Sequence, residues 1–143
     1  MAIPARISFV TLGVQDLNRS AAFYDALGWQ RSSASTDEVA FYQTPQAVLS
    51  LYLLPLLAAE IGVPAGDPPP FRGVTLAINV VSENEVDVVL EAARAAGGTV
   101  PRPGSRADWG GYTGYFADPD GHLWEVAHNP FFPLDANGTV TVP

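Results

Sequence analysis

Apolar positions along the chain alternate between two spacings, and the switches mark the elements. Residues 7–14, ISFVTLGV, form a β-rich apolar run, and Asp16 follows at a helix N-cap position. In the stretch LNRSAAFYDALGW, Leu17, Ala21, Tyr24 and Leu27 recur at helical spacing, and Gly28 is placed to end the helix in a left-handed conformation. Short β-like runs come next at 38–43 (EVAFYQ) and 47–54 (AVLSLYLL), divided by a turn that contains Pro45, and one further strand is expected near Gln30 to Ser33. Residues 55–73 hold five prolines, break the pattern and read as a connector.

The same order then returns. VTLAINV at 74–80 has the character of VTLGV at 10–14, a shift of 66 residues between Val14 and Val80. Ser82 and Glu85 form a capping box before a helix whose apolar stripe is Val86, Val89, Leu90 and Ala93, stopped at Gly97-Gly98. Three β-like runs follow, TVPRP, GYTGYFA and HLWEVAH, and between the last two Asp118-Pro119-Asp120-Gly121 has the composition of a type I turn. The prediction is an α+β fold of two βαβββ modules, at 5–54 and 74–130. They would form a curved mixed sheet with helices on its outer face and a concave cleft on its inner one. Residues 1–143 make a single domain with a 55–73 linker, and the tail 131–143 carries a hairpin signal at Asn137-Gly138. The tail's Phe131, Phe132 and Leu134 need burial, on this chain or on a second subunit.

Composition narrows the chemistry. With 143 residues and 48% apolar content, one well-buried domain is the default. Fifteen acidic residues against seven basic ones, all arginine, give a net charge of -8 that repels phosphate backbones, so no nucleic-acid partner is expected. No apolar run has the length of a membrane span and the start, MAIPARISFV, lacks the plan of a signal peptide, which makes a cytoplasmic location the expectation. The absence of cysteine excludes disulfides, thiolate metal sites and cysteine nucleophiles.

The segment DPDGHLWEVAHNP, 118–130, contains both histidines of the chain with Glu125 between them. Side chains alternate faces along a strand, so His122 and His128 share a parity that Glu125 does not. At roughly 3.3 Å per residue they also stand about 20 Å apart. The three cannot close on one ion, and both histidines read as structural residues.

The stretches VTLGVQDLNRSAAFYDALGW and WGGYTGYFADPDGHLWEV, in this order, resemble the vicinal oxygen chelate superfamily, which includes glyoxalase I, extradiol dioxygenases and bleomycin-binding proteins. The resemblance covers about residues 5–130 and implies the two-module fold. It also implies a cleft in which the catalytic members hold a divalent metal with one residue from each of several inner strands. Carried over by position, those ligands fall on Phe9, near Ser50, on Thr75 and on Glu125. A phenyl ring cannot coordinate, and one carboxylate with two hydroxyls is less than transition-metal sites recruit, so no metal and no cofactor is expected.

Glu125 is the candidate acid or base, with a structural carboxylate bonded to Thr75 or Ser50 as the other reading. By parity Phe9, Thr11, Ser50, Tyr52, Thr75, Ala77 and Asn79 should line one apolar wall with a few hydroxyl and amide groups, the usual make-up of a small-molecule pocket. Phe9 reads equally as core that fills the vacated metal position. Trp109, between Asp108 and two glycines, is a lid at the cleft mouth or ordinary packing, and Tyr115 could face either way. The functional expectation is a glyoxalase- or bleomycin-resistance-like protein that binds a small, neutral or cationic, aromatic-bearing molecule, with metal-independent acid/base chemistry at Glu125. A metal-dependent lyase or dioxygenase is the alternative, and a homodimer is expected because superfamily members are often dimers with clefts near the interface.

Overall fold

The computed structural model describes residues 2–143. The first module consists of β1 (Phe9–Val14), α1 (Leu17–Ala26), β2 (Val39–Gln43) and β3 (Val48–Leu53). A helix α2 (Leu54–Ile61) follows directly, and the second module comprises β4 (Thr75–Asn79), α3 (Glu83–Ala95), β5 (Thr99–Arg106), β6 (Tyr112–Ala117) and β7 (Leu123–His128). The strands form two mixed sheets, one in the order β1-β3-β2 and one in the order β4-β7-β6-β5. In each sheet the first strand pairs in parallel with the last, and the remaining pairs are antiparallel.

Local chemistry sets the helix ends. Asp16 accepts a hydrogen bond from Arg19 N and Ser82 accepts one from Glu85 N, which caps α1 and α3. The strand expected near 30–33 is reduced to one bridge, Arg31 to Tyr42. Serines are the cause: Ser32 Oγ accepts from Ala34 N and Ser32 O from Ser35 N, so the segment turns instead of extending a ladder. The connector is also more ordered than its prolines suggest, because Pro55 sits in the first turn of α2, where its missing N–H costs nothing, and Gly62, at φ 85°, closes the helix.

The packing of α1 decides which way the sheets face. Tyr24 lies 5.9 Å from Tyr42 on β2 and 6.2 Å from Trp124 on β7, centroid to centroid, and Phe23 lies 6.1 Å from Phe116 on β6. If the two sheets ran edge to edge as one, β2 and β7 would be four strand spacings apart, roughly 19 Å. Both reach one tyrosine ring, so α1 packs against the backs of both sheets. Helix α3 covers the rest of the second back with buried Val86, Leu90 and Ala93, and the core runs unbroken from Leu12, Leu49 and Leu51 to Phe116, Trp124 and Val126. Both helices cover the sheet backs with one side and expose the other, as expected of helices on an outer face. The remaining face of each sheet is open, with Phe9 exposed on the first and Thr75 and Ala77 on the second.

Residues 118–121 tie the modules together. Asp118, 4% exposed, accepts from Asp120 N and His122 N through Oδ1 and from the Tyr24 hydroxyl through Oδ2, at 2.7 Å. Trp124 Nε1 donates to the same hydroxyl at 3.1 Å. Asp120 accepts from Gln15 N, Ser20 Oγ and Arg19 of the first module. Burial, then the Asp118 carboxylate, push the Tyr24 phenol far above its ordinary pKa, which keeps it a donor.

Candidate functional site

The open face of the second sheet carries a row of side chains fixed by strand register. Arg102 on β5 stands opposite Tyr115 on β6, Tyr115 opposite Glu125 on β7, and Glu125 opposite Ala77 on β4. Tyr115 donates its hydroxyl to Glu125 Oε2 at 2.9 Å. The hydrogen bond to Glu125, then burial and the negative charge, raise the Tyr115 pKa, so the phenol stays protonated. Arg102 lies 5.3 Å above the Tyr115 ring and donates to Thr113 Oγ1 at 2.5 Å. Glu125 is half-buried, and the methyl of Ala77 beside it leaves room over the carboxylate.

The open face of the first sheet is neutral. Thr11 and Ser50, paired in register, share a hydrogen bond of 2.6 Å, and Ser50 is 2% exposed. Phe9 lies edge-on to Phe41 at 6.2 Å and is 56% exposed, so it sits on an open face and fills no interior hole. Tyr52 is half-buried two residues along β3, and α2 closes the far end of this face, its Leu54 lying over Gly13.

The residues expected on a single wall come from two sheets. Phe9, Thr11, Ser50 and Tyr52 lie on the open face of the first sheet, and Thr75, Tyr115 and Glu125 on that of the second. Asn79 is on the second face near the end of β4 and also borders a partly open cavity. Glu125 is bonded to a hydroxyl of the same sheet face, as its structural reading expected, but to that of Tyr115 rather than Thr75 or Ser50. Trp109, half exposed, lies across Gly111, where a Cβ would come within 1.9 Å of its ring. Phe131, expected to be buried, is 61% exposed beside Gly110. The tail folds back on its own chain through Gln46, which donates to Thr139 Oγ1 and Asn137 O.

Both histidines have backbone partners. His122 Nε2 donates to Gly13 O at 2.8 Å while Nδ1 accepts from Arg72, and His128 Nδ1 donates to Val80 O at 3.2 Å. Among the described residues no three histidine, aspartate or glutamate side chains converge. At the positions the resemblance assigns to a metal, Phe9 has no donor, the Ser50 hydroxyl is engaged by Thr11 and Glu125 Oε2 by Tyr115. These residues do not fit a divalent transition metal.

Arg102 and Phe41 carry no sequence signal of their own as site residues. A signal for the row existed: a hairpin turning at 118–121 pairs Ala117 with Leu123, which places Tyr115 opposite Glu125. Nothing comparable marks Arg102, because register shifts interrupt the β5–β6 pairing. Among the described residues no helix is long and apolar enough to cross a membrane.

The sequence matches the profile of the glyoxalase/bleomycin resistance protein/dioxygenase superfamily over residues 6–126. No match was found among curated proteins. Among solved structures, a glyoxalase-related enzyme from Fulvimarina pelagi is 40% identical over 97% of this chain and 99% of its own, with a TM-score of 0.88. A glyoxalase/bleomycin resistance protein/dioxygenase from Nocardioides is 30% identical over 90% of this chain and 85% of its own, at TM-score 0.75. A hypothetical protein from S. aureus is 26% identical over 90% and 96%, at TM-score 0.77. With the profile spanning both modules and the relative from Fulvimarina pelagi aligning end to end, the chain belongs to the glyoxalase/bleomycin resistance protein/dioxygenase superfamily.

Proposed function

We propose that this protein binds a small, aromatic-bearing, neutral or cationic molecule without a metal, in a cleft that two copies of the chain build together. The carrying observation is the row Arg102–Tyr115–Glu125: one carboxylate on an open face, with one oxygen engaged by a phenol and the other available. The first-sheet face supplies what that row lacks, an aromatic edge from Phe9 and Phe41 and the Thr11–Ser50 hydroxyl pair. The two faces belong to separate sheets of one chain. A two-fold dimer brings the first-sheet face of each copy over the second-sheet face of the other, which covers the exposed Phe9 and makes two equivalent clefts.

In that cleft Glu125 receives a positive charge or a hydrogen-bond donor from the ligand, and Phe9 and Phe41 receive its ring. Where the ligand carries an acidic C–H or O–H, Glu125 serves as the base and the Tyr115 hydroxyl stabilises the resulting anionic oxygen. Three measurements test the reading. Light scattering should give twice the chain mass, and elemental analysis should give far less than one transition metal per chain. In calorimetric titrations benzamidine should bind at least tenfold more tightly than benzoate, with the preference lost in Glu125→Gln. A stoichiometric metal, or a preference for the anion, would sink it.

A further inference from the structure

A partly open space lies between the two sheets, bordered by β1 and β3 on one side and β4 on the other. It is a cavity of about 680 Å³. Its floor is aromatic and aliphatic: Trp29 and Trp124 meet at right angles, centroids 5.6 Å apart, beside Val10, Leu49 and Ile78. Its rim is amide and hydroxyl, from Gln30, Gln46, Asn79, Asn137 and Thr139, and the roof is the turn of the C-terminal tail, fastened by the bond from Gln46 to Thr139. No lining residue is charged, although the chain carries 15 acidic and 7 basic residues. Among the described residues the side-chain amides of Gln30 and Asn79 make no hydrogen bond to protein, which leaves two donor-and-acceptor groups at the rim of an apolar space.

We infer that this cavity is a second ligand site, separate from the dimer cleft, for a neutral planar molecule that both donates and accepts hydrogen bonds at one edge. The volume lies within the range of small-molecule pockets, about 300–1,000 Å³. A charged ligand would lose its hydration here with no counter-charge to replace it, whereas a flat neutral one keeps its polar edge on the amides and buries its faces on the indoles. The geometry needs no second copy of the chain and no role for Glu125, so the site stands or falls independently of the proposed cleft.

Two fluorescent probes on one skeleton test this: neutral N-phenyl-1-naphthylamine and its sulfonated analogue 1-anilinonaphthalene-8-sulfonate. In a Trp109→Phe background Trp29 and Trp124 are the remaining indoles of the three in the chain. The neutral probe should saturate at one per chain with energy transfer from those indoles, and the sulfonate should bind at least tenfold more weakly. Ala47→Phe, which fills the space, and Val140→Asp, which puts a charge on the 39% exposed roof, should each weaken the neutral probe at least fivefold with the far-ultraviolet spectrum unchanged. Val140→Asp is at the surface and keeps the test decisive if Ala47→Phe fails to fold. Absence of saturable binding, equal affinity for the two probes, or undiminished binding by folded Val140→Asp would overturn the inference.

Discussion

Tyr24→Phe removes one oxygen from the junction of the two modules, and its cost follows from the two hydrogen bonds which that oxygen makes. The hydroxyl donates to Asp118 Oδ2 at 2.7 Å and accepts from Trp124 Nε1 at 3.1 Å, and those two residues are 4% and 5% exposed. The substitution leaves a buried carboxylate oxygen and a buried indole N–H without partners, at about 1–3 kcal/mol each. The carboxylate belongs at the upper end of that range, so the expected loss is about 3–4 kcal/mol. Unfolding entropy of about 2.1 cal/mol/K per residue makes this a fall of roughly 10 °C in the melting temperature for a chain of this length. Tyr42→Phe is the internal control. Its hydroxyl is shared between Ala21 O and the exposed carboxylate of Asp25, groups that water can reach or that keep other partners, and it should cost about 1 kcal/mol. Urea unfolding followed by circular dichroism reads both, with the slope of free energy against denaturant expected to stay constant. A Tyr24→Phe loss below about 1 kcal/mol, or one no larger than that of Tyr42→Phe, would refute the idea that this hydroxyl holds the modules together.

Gly98→Ala should destabilise by about 1–3 kcal/mol, because the added Cβ would stand 2.6 Å from Ala117 O, a backbone atom that cannot yield; thermal melts read it. Asp25 lies below the usual carboxylate range: burial opposes the shift, but hydrogen bonds from Arg31 and Tyr42 outweigh it. A depressed folded-state pKa gives stability that is present above about pH 4 and lost as pH falls through the folded value, so Asp25→Asn should flatten the acid limb of the stability profile. Glu125→Gln should lower the Tyr115 pKa toward about 10, since the raising hydrogen bond and charge both come from the Glu125 carboxylate; nuclear magnetic resonance of the ring carbons follows it. On the proposed metal-free reading, a chelator should leave the melting temperature within about 1 °C.

The sequence alone determined the elements whose causes are local. Asp16 and Ser82 cap helices because an oxygen on a short side chain reaches a free N–H two or three residues on, and such reach does not depend on the rest of the fold. The repeat of the βαβββ order likewise needed only spacing, while the motifs at 10–29 and 109–126 carried the resemblance that the family match bears out. The helix at Leu54–Ile61 was also legible in principle, from Pro55 at its start and Gly62 at its end, but the prolines beyond it obscured the signal.

Only the tertiary structure decided what those elements face. Parity sorts the residues of a strand into two sides without saying which side meets another layer, and that choice rests on Phe23 and Tyr24 reaching the second sheet. The same contacts leave Phe9 and Ser50 on the open face of one sheet and Glu125 on that of the other. They also bring Arg102 to Tyr115 across an irregular pairing and leave a partly open space without charged lining beside Trp29 and Trp124. Each of these pairs residues far apart in the chain through side-chain packing, and packing has no period along a sequence from which it could be read.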